Sequence, residues 1–194
     1  MTSSGYQNQT ASVPVGSGTA NVPLSVNLNT LVSNTAYHYR VVSVNGAGTT
    51  YGQDQQFNTG LGPIDYWKQN CFTAQQLGNS SASGDAASPA GDGVPNLMKY
   101  ALGMNPNVNS RVGLPVYGTT STSGTAYWTF TYSKVDSVSD ITFHPEWSND
   151  LSSWSSTGLI EQVLSDNGTV QQVQDSIPAG AAKSLFFRLR VSRP

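Results

Sequence analysis

The sequence predicts a mainly β protein with a short helical segment at its centre. Apolar and polar residues alternate along residues 22–28 and again along 126–132, which is the period of a β-strand. Between residues 64 and 102 the apolar residues recur instead at helical spacing, interrupted by a polar stretch at 79–90. We therefore expect three segments: a β region at 1–60, a helical connector at 61–110 and an antiparallel β-sandwich domain at 111–194.

Composition favours an extracellular protein and excludes two classes of partner. Only 10% of the 194 residues are charged, and the net charge is −2. Soluble domains average roughly 25% charged residues, and a neutral, hydroxyl-rich surface is common in extracellular β modules. The densest basic cluster, Arg188, Arg190 and Arg193, lies on a predicted strand and is too small to follow a nucleic acid backbone.

No apolar run approaches the length of a membrane span. We expect a secreted protein whose signal sequence is not part of this chain, since residues 1–5 lead directly into polar sequence.

The strand signals of the first 60 residues carry a family resemblance. They begin at Val13-Pro14-Val15 and continue through residues 22–28. The run Tyr37-His38-Tyr39-Arg40-Val41-Val42, a Gly-rich turn at 46–48 and the ending Phe57-Asn58-Thr59 follow. This pattern resembles the second half of a bacterial fibronectin type III domain and covers about 50 residues.

The resemblance implies an incomplete sheet. A whole domain of this kind needs roughly 100 residues, so its first two or three strands are expected to be missing. An unpaired sheet edge is an aggregation hazard unless something covers it. We expect the gap to be filled by the C-terminal domain, by another copy of the chain in a homo-oligomer, or to persist as disorder.

Strand signals return after residue 114. They include Ala126 to Tyr132, Ile141 to Ser148 and Leu185 to Val191, and Asp166-Asn167-Gly168-Thr169 predicts a hairpin turn. About 80 residues with regular turns predict a sandwich of six to eight strands.

One segment carries metal-binding chemistry. The run Asp92-Gly93-Val94-Pro95-Asn96 ahead of a helix resembles the calcium loop of an EF-hand or dockerin. In such a loop, side-chain oxygens, one carbonyl and a final Glu surround Ca²⁺, which takes six to eight oxygen ligands. This sequence departs from the pattern at Ala90, which has no side-chain oxygen, and at Lys99, which stands where the Glu belongs. A loop that folds without metal is the alternative. The candidate calcium ligands are Asp85, Ser88, Asp92, Val94 and Asn96.

A longer resemblance covers residues 64–194. Trp67 with Phe72, the run from Tyr100 to Pro106, the element from Glu146 to Trp154 and the ending Phe187-Arg188-Leu189-Arg190-Val191 carry it. Together they resemble the C-terminal region of secreted modular proteins of planctomycete and verrucomicrobial bacteria. The resemblance implies a position at the end of a long extracellular protein, and it implies no particular activity.

The residues assign no catalytic group. No Gly-x-Ser-x-Gly elbow occurs, and His38 and His144 are expected to be ordinary strand residues. Asp136, Asp140, Asp150, Asp166 and Asp175 are expected at turns.

The favoured function is a non-catalytic accessory or adhesion region that meets a polysaccharide or another cell-surface component. One alternative is a calcium-dependent hydrolase of small esters or lactones, such as acyl-homoserine lactones, with a water polarised beside Asp85 and Asp92. A further alternative is a carbohydrate-binding module that stacks sugars on Trp128, Trp147 or Trp154.

Overall fold

A computed structural model describes residues 5, 6, 8–136, 138–180 and 184–193. The chain forms two compact units, Met1–Gly62 and Pro63–Pro194. Antiparallel strands are the main secondary structure, and the described helices are short. The mainly β prediction is therefore confirmed. Among the described residues, no helix is both long enough and apolar enough to cross a membrane.

The first unit is built on one interrupted hairpin. Its outer strands pair with each other, its inner strands do the same, and both pairs are antiparallel. The backbone N–H of Gly52 donates to the carbonyl of Val41 at 2.8 Å, so the two pairs follow one another along the same hairpin. The strands are β1 (Ala36–Tyr39), β2 (Val42–Asn45), β3 (Gly48–Tyr51) and β4 (Gln55–Asn58).

Tyr37 fixes the chain where it enters the hairpin. Its hydroxyl oxygen accepts a hydrogen bond from the backbone N–H of Val32 at 2.9 Å. Its ring stacks on that of Phe57, with centroids 5.7 Å apart. One side chain thus joins the incoming segment, β1 and β4.

The expected strands at 13–15 and 22–28 are absent from the structure. The apolar residues Val22, Leu24, Val26 and Leu28 are instead 43–54% exposed. Alternation produces a strand only where a neighbouring strand supplies hydrogen-bond partners. Within the described part of this unit, β1 to β4 pair only among themselves, so the prediction was wrong for both segments.

The second unit begins with four short helices in its described residues. A capping box at Thr73 and Gln76 begins the second helix, and the Asn79 side chain caps the third. The third helix lies within the stretch 79–90 that was predicted as loop. Gly103, with a φ of +70°, follows the last helix at the expected C-terminal position. The helices are α1 (Pro63–Cys71), α2 (Ala74–Leu77), α3 (Ser80–Ser83) and α4 (Asn96–Ala101).

Six described strands follow, all in antiparallel pairs. Four form a sheet in the order β5-β6-β9-β8, and β7 pairs with β10. The predicted Asn167-Gly168 hairpin is confirmed, since it joins β8 to β9. The strands are β5 (Val116–Thr122), β6 (Thr125–Val135), β7 (Thr142–Ser148), β8 (Ile160–Asp166), β9 (Val170–Pro178) and β10 (Phe186–Ser192).

Aromatic contacts join the two sheets of this unit. Phe130 of β6 stacks on Phe187 of β10 with centroids 5.3 Å apart. Tyr132 of β6 stacks on Phe143 of β7 at 6.2 Å. Both β6 side chains are buried. The apolar core of the unit therefore includes side chains from both sheets.

A second group of contacts joins the helices to the strands. Ile64, Tyr100 and Ala101 are buried with Ile141 in one apolar cluster. Asp140 accepts hydrogen bonds from the backbone N–H of Ile64 at 2.8 Å and from the Tyr100 hydroxyl at 2.9 Å. α1 and α4, the helix that follows the candidate site, are therefore held against the β portion of the same unit.

Candidate functional site

The candidate site is the loop between α3 and α4, where the sequence predicts calcium ligands. Gly91 and Gly93 have φ values of +71° and +75°, which glycine adopts without a steric penalty. The backbone N–H of Leu97 donates to the Asp85 carbonyl at 2.9 Å, and that of Asn96 donates to Ala87 at 2.8 Å. The loop is therefore tied to the first turn of α4.

Asp92 is the centre of this loop. Its Oδ1 accepts hydrogen bonds from the Ser88 hydroxyl and from the backbone N–H of Val94, each at 3.0 Å. Its Oδ2 accepts from Lys99 Nζ at 2.6 Å and from the backbone N–H of Ser110 at 3.2 Å. The Lys99 ammonium, aided by the other donors, holds the pKa of Asp92 well below its usual range. Asp92 is an ionised carboxylate near neutral pH.

Lys99 supplies the cation of the site. Its side chain is 0% exposed, and that of Asp92 is 1% exposed. Besides Asp92, the ammonium donates to the carbonyl of Val108 at 2.9 Å and lies 3.5 Å from that of Pro106. One carboxylate oxygen and two carbonyl oxygens thus surround Nζ.

Asp85, the second predicted carboxylate ligand, lies in a different set of contacts from Asp92. Asp85 binds Lys68 Nζ at 2.6 Å and Arg193 Nη1 at 3.2 Å. Although burial opposes ionisation of Asp85, these two cations lower its pKa. Val94 contributes its N–H to Asp92. The structure thus brings Ser88 and Asp92 together and places Asp85 in a separate ion pair.

Asn96 has a structural role in the loop. Its Nδ2 donates to the carbonyls of Ala82 at 2.8 Å and Gly84 at 2.9 Å. Its Oδ1 is buried without a hydrogen-bond partner among the described residues. The amide therefore connects α4 to the end of α3.

This donor set does not fit a calcium ion. Calcium takes six to eight oxygens, and its affinity increases with the number of carboxylates. Here Asp92 is the one carboxylate at the centre, and an ammonium already uses its oxygen. No group of three or more His, Cys, Asp or Glu side chains suited to a metal occurs among the residues that the structure describes.

Sequence reasoning identified Lys99 only as a departure from the calcium pattern. The run Tyr100-Ala101-Leu102 beside it is apolar and buried. A lysine next to such a run, seven residues after an aspartate, is a signal for a buried ion pair, since buried charges are paired. That signal was present in the sequence.

The three candidate stacking residues are half-buried and have different surroundings. Trp147 Nε1 donates to the Thr157 carbonyl at 2.9 Å. The Arg188 guanidinium lies 4.1 Å from the centre of the Trp154 ring. Trp128 Nε1 is buried without a partner among the described residues. Arg188 therefore already covers part of the Trp154 ring.

The element from Glu146 to Trp154 forms a turn and an ion pair. Asp150 Oδ1 accepts from the Ser148 hydroxyl at 2.9 Å and from the backbone N–H groups of Ser152 and Ser153. The two backbone N–H groups are the main cause that lowers the pKa of Asp150 to about 2. Glu146 binds Arg188 Nε at 2.6 Å. The motif that carries the family resemblance thus has a structural explanation.

The two histidines have partners on separate units. His38 Nδ1 lies 2.7 Å from Asp54 Oδ2, in an exposed pair. His144 Nε2 lies 2.8 Å from the Ser192 hydroxyl, across the β7–β10 pair. His144, the histidine of the second unit, is therefore a partner of Ser192 and not of the Asp92 carboxylate.

Asp175 is a buried group that sequence reasoning placed wrongly at a turn. It lies within β9 and is 2% exposed. Its Oδ2 has no hydrogen-bond partner among the described residues, and burial raises the pKa of its carboxyl group.

Comparison of the chain with protein-family models, with curated proteins and with solved structures finds no match.

Proposed function

We propose that the chain is a non-catalytic accessory region of a secreted bacterial protein, in which the loop at residues 84–96 is a structural connector. The observation that carries this proposal is the buried pair of Lys99 and Asp92. A catalytic carboxylate must reach the substrate and exchange a proton or accept a metal. The Asp92 side chain is 1% exposed and already accepts four hydrogen bonds. Its arrangement suits a residue that holds a loop.

The two β portions support an extracellular modular protein. The hydrogen bond from Val32 to the Tyr37 hydroxyl, five residues apart, has the form of the tyrosine corner of fibronectin-like sandwiches. The stacked pairs Phe130–Phe187 and Tyr132–Phe143 support a sandwich packing in the second unit. A protein of this class serves as a spacer or as an attachment to polysaccharide or to a cell surface.

The geometry gives less support to a calcium-dependent hydrolase. That mechanism needs Asp85 and Asp92 beside one ion and an open position for water. Their carboxylates are held instead by different lysines, Lys68 and Lys99. The carbohydrate-binding alternative remains a prediction for Trp128, Trp147 and Trp154.

Calorimetry and an activity panel test the structural role of the loop. The full chain is melted in EDTA and in millimolar calcium, and calcium is titrated into the chelated protein. We expect the same Tm in both buffers, no heat of binding, and no hydrolysis of chromogenic esters or acyl-homoserine lactones above the buffer blank. A calcium-dependent rise in Tm, or turnover that disappears with EDTA, would contradict the proposal.

Affinity electrophoresis tests attachment to sugars. The full chain is run through gels with and without soluble polysaccharides, beside a Trp154→Ala variant. Tyr66→Ala is the matched control, because Tyr66 is 56% exposed on α1 and far in sequence from Trp154. Retardation that only Trp154→Ala reduces would assign sugar binding to Trp154, and unretarded migration on every gel would favour a spacer.

A further inference from the structure

We propose that the free edge of β5 is a docking site for a second copy of this chain. The two β5 strands would pair antiparallel about a two-fold axis, so that two four-stranded sheets become one continuous sheet. This inference does not depend on the function proposed above or on the first 60 residues.

The β5 strand lies at the end of its sheet and is exposed. It pairs with β6 on one side, and no other strand in the described chain pairs with it. Val116 is 60% exposed and Tyr117 is 82% exposed. The seven residues from Val116 to Thr122 follow a regular register with no shift against β6. A long, regular edge of this kind presents a full row of unpaired N–H and C=O groups.

The sequence of β5 lacks the features that protect sheet edges. Natural edges are protected by charged residues, by proline or by bulges that twist the strand away. The strand Val116–Thr122 contains no charged residue and no proline. The absence of all three features marks β5 as an edge that accepts another strand.

The other edges of this unit are protected. The β8 strand carries Glu161 and Asp166, and its register shifts between Val163 and Ser165. The β7–β10 pair carries Pro145 and an ion pair of Glu146 with Arg188. β5 therefore lacks the protective features that each of these other edges has.

The absence of charge on β5 favours a second copy as the partner. When all seven residues pair, the two-fold axis passes beside Thr119, the middle residue of the strand, and every other residue lies opposite the one equally far beyond the middle in the second copy. Like charges near the middle of the strand would therefore repel each other across the axis. β5 is neutral, and the whole chain carries a net charge of only −2. Thr119 would lie opposite its own counterpart, and Thr–Thr pairs across antiparallel strands are favourable.

The exposed apolar side chains near β5 also favour a partner at this edge. Val112 is 87% exposed and Tyr117 is 82% exposed, more than any other large apolar side chain among the described residues. Both belong to β5 or to the segment just before it. Pairing over seven residues adds roughly seven backbone hydrogen bonds. Such a contact is smaller than a standard interface, so we expect a weak dimer that depends on concentration.

Sedimentation equilibrium of the full chain tests the proposal with a charge at the edge. Thr120 is exposed on β5, and Thr120→Lys would place two ammonium groups at diagonally neighbouring positions of the paired strands, one on each side of the axis. Gln162→Lys is the matched control on the exposed β8 edge. We expect the wild type and Gln162→Lys to approach twice the chain mass as concentration rises, whereas Thr120→Lys stays monomeric at every concentration.

A charge-swap experiment separates loss of pairing from loss of folding. Thr120→Glu is expected to be monomeric by itself, and an equimolar mixture with Thr120→Lys is expected to recover the dimer mass. A wild type that stays monomeric, a dimer that Thr120→Lys leaves intact, a mixture that does not dimerise, or growth beyond two chains would each overturn the proposal.

Discussion

The Nζ atom of Lys99 lies 2.6 Å from Oδ2 of Asp92, and both side chains are buried within one helical connector. The removal of two charges from water is costly, and the cost is recovered only when the geometry and the remaining hydrogen bonds are good. Here the ammonium also donates to the Val108 carbonyl, and Asp92 accepts three further bonds. The pair is therefore a connection between α4, the loop before it and the segment after it.

Removal of the ammonium should destabilise the second unit. Lys99→Met keeps the length of the side chain but leaves Asp92 as a buried carboxylate without a cation. We expect the Tm to fall by roughly 10 °C, because an uncompensated buried charge is among the costliest single changes. Thermal unfolding followed by circular dichroism measures the shift.

Two variants show whether this loss comes from the unpaired charge. Lys134→Met removes a partly exposed lysine that lies 3.9 Å from Glu161, and it should change Tm by only a degree or two. Asp92→Asn combined with Lys99→Met should recover part of the loss, since both charges are then absent. Equal effects of Lys99→Met and Lys134→Met would contradict the interpretation.

A shorter side chain at position 99 should make the stability depend on cations. Lys99→Ala removes the ammonium and leaves the Asp92 carboxylate with the carbonyls of Pro106 and Val108. These are oxygen ligands of the type that calcium binds. We expect added calcium to raise the Tm of Lys99→Ala and to leave that of the wild type unchanged. A calcium response of the same size in both proteins would show that Lys99 does not take the place of a cation.

Asp175 should make stability depend on pH. Burial raises the pKa of its carboxyl group in the folded state above the unfolded value of 3.8. The unfolded chain therefore loses this proton first as pH rises, and the contribution of Asp175 to stability falls from pH 3.8 upward through the folded pKa. Glu161, Lys134 and Tyr132 are the ionisable groups that act on it.

The Asp175→Asn variant checks this dependence. Asn has nearly the same shape and cannot ionise. We therefore expect the variant to be more stable than the wild type at about pH 7 and to have no such advantage at about pH 3. Urea unfolding at a series of pH values gives the difference in the free energy of unfolding. A difference that does not vary with pH would show that Asp175 does not titrate within the core.

The sequence predicted the mainly β class and most strands of the second unit, because alternation and the Asn167-Gly168 turn are local signals. It failed at residues 22–28, where the same alternation has no neighbouring strand to pair with. It also failed at Asp175, because an aspartate in a polar stretch is typical of a turn, while its burial in β9 depends on contacts with distant residues. At the candidate site, Ser88 and Asp92 are hydrogen-bonded to each other, and their role as calcium ligands stays a prediction. The role of Lys99 depends on the backbone carbonyls of Pro106 and Val108, and the spacing of residues in the sequence does not reveal those contacts.

The turn between β5 and β6 offers a test of local backbone strain. Ser123 and Gly124 have φ values of +50° and +79°, the combination that a type I′ hairpin turn requires. A left-handed residue other than Gly or Asn costs about 1–2 kcal/mol. Ser123→Asn should therefore raise the free energy of unfolding by about 0.5 kcal/mol, whereas Ser123→Val should lower it by about 1 kcal/mol.

Ser121→Val, on the exposed and extended part of β5, is the control and should be close to neutral. Urea unfolding of the three variants measures the order, and a Ser123→Val protein as stable as the wild type would show that the turn relaxes to another conformation.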